Sequence, residues 1–358
     1  MTHSKRDGAA NSDIELVVSD IHHRISGVSA TVRALVPALA QRFKMALIFT
    51  MPYSGFHTES LFSLLRLLRQ PVTGRAFRIW HVRRNNEMFW ALLARDLFRC
   101  KVKLVFTSAA IRRHSWYPRQ LIKRMDAIVA VSQRSADWVA PVVAIVPHGV
   151  DIKRFESGQA SALAAAPWLA FAQRIGIVGR VRPEKGTDLF VSAMIATLAK
   201  HPERCAVIVG KTTAKYQSFK KNLQQQIDAA GLTGQFFFID ELPYEQMPDL
   251  YASLEVVCAP ALYEGFGLVP IEAMVSGTAI VASRTGAYED MVLPGETGEL
   301  VDCGDGPALT LALTKILAEP GKLQAYQQAG RRRVRAQFSL ANEIEGLARV
   351  YQQLWDPR

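Results

Sequence analysis

Two glutamates with seven residues between them bracket the segment Glu264-Gly-Phe-Gly-Leu-Val-Pro-Ile-Glu272. The apolar run 255–261 before it reads as a buried strand. Residues 271–275 after it read as a helix with Pro270 in the first turn. A strand, a glycine turn and a helix N-terminus together aim backbone N–H groups at one spot, which suits an anion. Carboxylates at both ends of the segment suit hydroxyls. A ligand with phosphates and hydroxyls, such as a nucleotide sugar, answers both.

A second segment, Gly179-Arg-Val-Arg-Pro-Glu-Lys-Gly186, also follows a predicted strand. Arg180 and Lys185 stand five apart on a loop stiffened by Pro183. Such a loop can bring both cations to one diphosphate. A departing nucleoside diphosphate gains negative charge, and two fixed cations with a helix N-terminus stabilise that charge without a metal. No Asp-x-Asp is present to hold Mg²⁺ beside phosphates, so no metal is expected. The loop 240–244, with Leu242 at its centre, is expected beside the base.

The elements that must position these groups alternate. Strands are expected near 14–19, 46–51, 77–82, 103–108, 127–132 and 143–147. Helical spacing covers 28–43, 87–99 and 117–125. After an Ala-, Ser- and Gly-rich stretch the pattern restarts, with strands near 175–178, 206–209, 235–239, 256–259 and 279–282. Alternation of this kind predicts doubly wound parallel sheets, an α/β fold class. The division expected is a first domain over 1–155, a linker over 156–170 and a second domain over 171–339. An amphipathic segment over 340–358 would pack back on the first domain. Ligands of two such domains would bind in the cleft at the carboxyl ends of their strands.

The charge is lopsided. Residues 1–150 carry 22 Lys/Arg against 9 Asp/Glu, whereas 151–358 carry 21 against 23. The net +11 therefore belongs to the first half, which favours an anionic partner. Hydrophobic residues at 49% predict a packed protein rather than a disordered one. No apolar run reaches membrane-spanning length, and the polar start lacks the core of a secretion signal. Four scattered cysteines form no CxxC pair and fit reduced thiols.

These motifs resemble the retaining glycosyltransferases of family 4, whose GT-B architecture sets two Rossmann-like domains face to face. The Glu-x7-Glu segment and the Arg180/Lys185 pair match the family signature. Pro147-His-Gly-Val-Asp151, Val209-Gly210, Thr285-Gly-Ala-Tyr-Glu289 and Gly295-Glu-Thr-Gly298 fall where the family has its junction and glycine turns. In the first half, Arg78-Ile-Trp-His-Val-Arg-Arg-Asn-Asn-Glu-Met88 is similar to lipopolysaccharide core mannosyltransferases, which use GDP-mannose. The resemblance implies that Arg180 and Lys185 hold the diphosphate and Glu272 the ribose. It also implies that Glu264 with the backbone of Gly265, Phe266, Gly267, Leu268 and Val269 holds sugar and phosphate. Gly179 would shape the phosphate loop, and Gly27 would let the first domain approach. Two departures stand out. Ser26 replaces a second glycine, and Ser108-Ala-Ala110 replaces a histidine that the family places after the strand.

Candidates for the group over the transferred sugar or the acceptor are therefore His81, Asn85, Arg112, Arg113 and His114. The resemblance implies mannose transfer from GDP-mannose onto the inner core of lipopolysaccharide. The alternative is a UDP- or ADP-sugar and another envelope glycan. An anionic lipid-linked acceptor and peripheral attachment to the cytoplasmic membrane's inner face fit the basic half. Arg112 and Arg113 are expected near the acceptor, with Arg83, Arg84, Lys123 and Arg124 facing lipid. An epimerase or phosphorylase on the same architecture is a rival, and so is a nucleic-acid binder. No nucleic-acid motif is present, and the acidic pair would repel a phosphate backbone.

Overall fold

The computed structural model describes residues 12–22, 27–51, 53, 55–56, 58–139, 141–163 and 165–356. The chain divides into two compact units, Met1–Gly149 with Leu340–Arg358, and Val150–Ser339.

The first unit holds β1 (Leu16–Asp20), α1 (Gly27–Arg42), β2 (Met45–Phe49), α2 (Leu61–Arg69), β3 (Arg78–Val82), α3 (Asn85–Leu92), β4 (Val102–Ser108), α4 (Trp116–Ile122), β5 (Ala127–Ala130), α5 (Gln133–Val139) and β6 (Ala144–Ile145). The second holds α6 (Ile152–Glu156), β7 (Gln173–Val178), α7 (Thr187–Leu198), β8 (Arg204–Val209), α8 (Gln217–Ala229), β9 (Phe236–Ile239), α9 (Met247–Ala252), β10 (Val256–Ala259), α10 (Val269–Ser276), β11 (Ala279–Ser283), α11 (Tyr288–Met291), β12 (Glu299–Val301), α12 (Gly306–Ala318) and α13 (Pro320–Gln337). The last helix, α14 (Leu340–Trp355), returns to the first unit.

Each unit carries one six-stranded parallel sheet, ordered β2-β1-β3-β4-β5-β6 and β12-β11-β10-β7-β8-β9. β1, β3, β8, β10 and β11 are buried along their whole length, as strands covered by helices on both faces must be. In each sheet the chain winds outward from a central strand and then restarts on that strand's other side. The reversal falls between β1 and β3 in the first unit and between β7 and β10 in the second. Loops at such a switch point splay apart and leave a crevice at the carboxyl ends.

α14 joins the first unit through its apolar stripe. Ile344, Leu347, Val350, Tyr351 and Trp355 pack with Leu16, Val18, Leu35 and Leu39 in one core. The Trp355 indole N–H donates to Phe77 O at 3.1 Å.

The stretch 156–170 is part of the second unit rather than a linker. Trp168 is buried and its indole N–H meets Ser253 Oγ at 3.3 Å. Gln159 N donates to Asp249 at 2.8 Å. At Gly158 a Cβ would stand 2.3 Å from Pro248 O, so the chain lies against α9. Its small residues permit close packing, not a tether. The basic run 331–335 lies on α13. There Arg331 donates to Ser276 O at 2.9 Å, satisfying a carbonyl at the end of α10, and Arg333 donates to Met291 O at 2.7 Å. Among the described residues no helix is long and apolar enough to cross a membrane.

Candidate active site

The two sequence segments come together at the β7/β10 switch point of the second unit. The loop after β7 is a short helical turn, Pro183–Lys185, ended by Gly186 in the left-handed region at φ 69°. A Cβ on Gly186 would lie 2.1 Å from Pro260 O, so only glycine lets the β7 loop touch the β10 loop. Leu262 N donates to Glu184 O at 3.0 Å and ties the two together.

Across that seam the Lys185 ammonium contacts the Glu264 carboxylate, both about four-fifths buried. The aliphatic part of Lys185 runs past Gly179, 3.7 Å from where a Cβ would stand. Arg180 is exposed at the mouth of the same loop. Glu264 N donates to the Thr285 hydroxyl at 3.3 Å, so the loop after β11 supports the segment from behind.

The segment then turns through Gly265, buried Phe266 and Gly267 into α10. A Cβ at Gly267 would press on the Glu264 side chain at 2.7 Å and on Tyr288 at 2.8 Å. α10 starts at Val269 with Pro270 next, and its N-cap, Leu268, supplies no side-chain acceptor. The first N–H groups of the helix are thus left for a ligand or water, with the helix dipole behind them.

Glu272 sits within the first turn of α10 and is buried. Its carboxyl accepts from the Tyr251 hydroxyl at 2.8 Å. Burial pushes its pKa up to about 7, the Tyr251 hydrogen bond countering only part of the shift. Tyr244 is pushed up to about 12 by burial and then by the Glu272 charge. Leu242 lies in the loop after β9, half-buried. Tyr251 and Tyr288 are absent from the sequence-based candidates. Their rings come from α9 and α11, and no spacing along the chain ties either to Glu272. Among the described residues no group of three His, Cys, Asp or Glu is placed to hold a metal ion.

The first-unit candidates separate into distinct environments. Gly27 opens α1 with nothing within 4 Å of where its Cβ would be, while the preceding Ile25 and Ser26 lie outside the described residues. Asn85 is exposed at the start of α3. Arg112 and Arg113 are exposed in the loop between β4 and α4. His114 is half-buried there with Nε2 unpartnered, and burial, then Arg112, lowers its pKa.

His81 is a core residue, contrary to its candidacy. It is fully buried, with Nδ1 2.6 Å from the Tyr351 hydroxyl and Nε2 2.7 Å from Thr107 Oγ1. Both ring nitrogens are spent on the protein, and burial drives the ring towards its neutral form. The expectation that Arg83 and Arg84 face lipid is corrected too. Arg83 is buried, and Arg84 pairs with Asp20 and with Glu87 at 3.3 Å.

Comparison with known proteins agrees with this geometry. Residues 172–333 match the family model described as glycosyl transferases group 1. A lipopolysaccharide core biosynthesis mannosyltransferase, LpcC of Rhizobium leguminosarum bv. viciae, is 40% identical over 96% of this chain and 97% of its own length. LpsB of Rhizobium meliloti (strain 1021), of the same description, is 36% identical over 96% of this chain and 98% of its own. The crystal structure of Anabaena HepE in complex with UDP superposes with a TM-score of 0.78 at 17% identity, over 95% of this chain and all of that one. Two doubly wound units, a cation–carboxylate seam at the second switch point and identity sustained along the whole chain place this protein among the group 1 glycosyl transferases, as a glycosyltransferase of the GT-B fold.

Proposed function

We propose that this protein transfers mannose from GDP-mannose to the inner core of lipopolysaccharide, with retention at the anomeric carbon. The observation that carries the reading is the pairing of Lys185 with Glu264 beside the uncapped start of α10. A cation from one loop and a carboxylate from the next suit a ligand whose diphosphate and hydroxyls must both be held. The mannosyltransferase relatives, matched along nearly their full length, support the sugar and the acceptor.

As the bond from sugar to phosphate breaks, Arg180, Lys185 and the α10 N-terminus stabilise the charge on the leaving diphosphate. The acceptor hydroxyl attacks on the same face, and its proton passes to a leaving phosphate oxygen. The protein's contribution is position and charge. Glu272 receives the ribose hydroxyls, Glu264 the sugar hydroxyls, and Leu242 flanks the base. Gly27 gives the first unit its close approach, and Asn85, Arg112, Arg113 and His114 line the acceptor side. No metal enters any step, so turnover survives dialysis against a chelator. The enzyme works at the inner face of the cytoplasmic membrane on a lipid-linked acceptor.

The test presents GDP-mannose, UDP-glucose and ADP-glucose with a lipid-linked core acceptor and follows product by mass and by anomeric NMR. Transfer from GDP-mannose alone, with the donor's anomeric configuration kept, is expected. Turnover of a UDP- or ADP-sugar instead would overturn the donor, and an inverted product would overturn the mechanism.

A further inference from the structure

A buried cation with unbonded nitrogens stands at the other switch point. Arg83 follows β3, whose carboxyl end adjoins β1 where the first sheet reverses. The residue is 8% exposed, yet its Nε and Nη1 are buried with no hydrogen-bond partner. A guanidinium removed from water and left unpaired is strongly unfavourable, and such groups are rare in native proteins.

The neighbours accept no hydrogen bond from those nitrogens, because each is already engaged. His81 bonds Tyr351 and Thr107. The Glu87 carboxylate accepts from Ser19 Oγ at 3.2 Å, from Arg83's own backbone N at 2.8 Å and from Arg84 at 3.3 Å. Asp20 is paired with Arg84. Arg84 is ion-paired with both carboxylates, and the Arg83 charge acts on Glu87, but Nε and Nη1 of Arg83 donate a hydrogen bond to neither. α3 begins two residues later with no side-chain cap on its N-terminus, which adds positive potential on the same side.

We propose that Arg83 is the anion-binding residue of the first unit and holds a carboxylate or phosphate on the acceptor sugar during transfer. The inference rests on the transferase reading for its acceptor, and on geometry alone for the anion. The exposed edge of Arg83 is the route by which the anion arrives. Once bound, it supplies the hydrogen-bond acceptors that the protein withholds, and an acceptor lacking the charge leaves Nε and Nη1 buried and unbonded.

Full-length protein labelled with ¹⁵N at arginine tests this directly, the Arg83 Nε–Hε resonance being assigned by its loss in Arg83→Lys. It is titrated with glucuronate, glucose 6-phosphate, neutral glucose and GDP. Saturable movement with glucuronate or with the sugar phosphate, and none with glucose, is expected, and the anion that moves it names the source. No saturable movement with either sugar anion overturns the proposal, and so does movement with GDP alone.

Arg83→Gln gives a second readout. Its melting temperature should equal or exceed the parent's, while KM for the acceptor rises about tenfold or more and donor KM stays within about twofold. A fall of more than about 5 °C with acceptor KM unchanged would make Arg83 a structural residue and end the idea. If the parent transfers no sugar at all, the functional reading fails while the titration still decides the anion site.

Discussion

Glu272 is the residue whose environment makes the sharpest demand. Its folded pKa of about 7 stands above the 4.5 of a free glutamate, and burial is the cause. Below about pH 4.5 the carboxyl is protonated in both states and contributes nothing. Between about 4.5 and 7 the unfolded chain ionises first, so stability falls as pH rises. Above about 7 the loss is complete, on the order of 3 kcal/mol. Denaturant unfolding of Glu272→Gln at pH 5 and pH 8 should show that slope flattened. A slope identical to the parent's would mean the carboxyl is not held as an acid. If ribose hydroxyls donate to Glu272, as proposed, they favour its charged form, and nucleotide affinity weakens as pH falls below 7. Arg180 belongs to the same scale. Its guanidinium is exposed at the loop mouth. Arg180→Ala should lose about 10²–10³ in turnover with folding intact, the usual effect of removing one preorganised donor. Initial rates at saturating donor within about twofold of the parent would remove it from the diphosphate.

At the scale of elements, the last helix is where sequence order and architecture part. α14 completes the core over α1 and β1 of the first unit, with Trp355 edge-on to Tyr351 and tilted against Phe43 at 6.0 Å. Trp355→Ala should cost about 3–5 kcal/mol. In calorimetry the loss should fall on the first unit's transition and leave the second unit's in place. Equal shifts of both would mean that α14 does not belong to the first unit. Eleven of the twelve strands were readable because each is built around a short apolar run, whereas β12 (Glu299–Val301) is three residues long and was not expected; the strand order, and with it the switch points, comes from the structure. The loop pair 179–186 and 264–272 was readable because both lie at strand ends and carry glycine with charge. Elements without an apolar stripe were not. α13 buries only Tyr326, Gly330 and Val334, and its arginines bond carbonyls that no local pattern announces. α2 did carry a signal, since Ser60 caps Ser63 N at 3.1 Å ahead of the buried Leu64, Leu67 and Leu68. His81 shows the opposite failure. Its type suggested chemistry, and only the return of Tyr351 from 270 residues away reveals a core hydrogen bond. Arg83 reads as a surface cation in sequence for the same reason, because burial is set by partners distant along the chain.

For the whole molecule the question is where a charge surplus confined to one end of the sequence does its work. The excess of 22 Lys/Arg over 9 Asp/Glu lies in residues 1–150, and part of it is exposed beside large aromatic side chains. Trp116 is 67% and Tyr117 47% exposed at the start of α4, and Phe89 and Trp90 are exposed on α3, which packs against it. Arg112 and Arg113, on the acceptor side in the proposed function, precede α4 and Lys123 follows it, all exposed, so a lipid-linked acceptor and the lipid around it would meet the same flank. Amphipathic rings seat at the headgroup level of a bilayer, and basic groups beside them are attracted by anionic lipid, each worth about 1 kcal/mol. The proposed peripheral attachment therefore uses α4 and its flanks, and it needs both terms. The parent protein should float with vesicles containing anionic lipid and stay behind with neutral ones. Trp116→Ala with Tyr117→Ala should weaken flotation at every salt concentration, because the apolar contribution is lost. Arg112→Ala with Arg113→Ala should weaken it at low salt and converge on the parent at high salt, because screening removes the same contribution from both. Equal recovery on neutral vesicles would take the charge out of the argument, and flotation unchanged in the aromatic pair would move the contact elsewhere on the first unit.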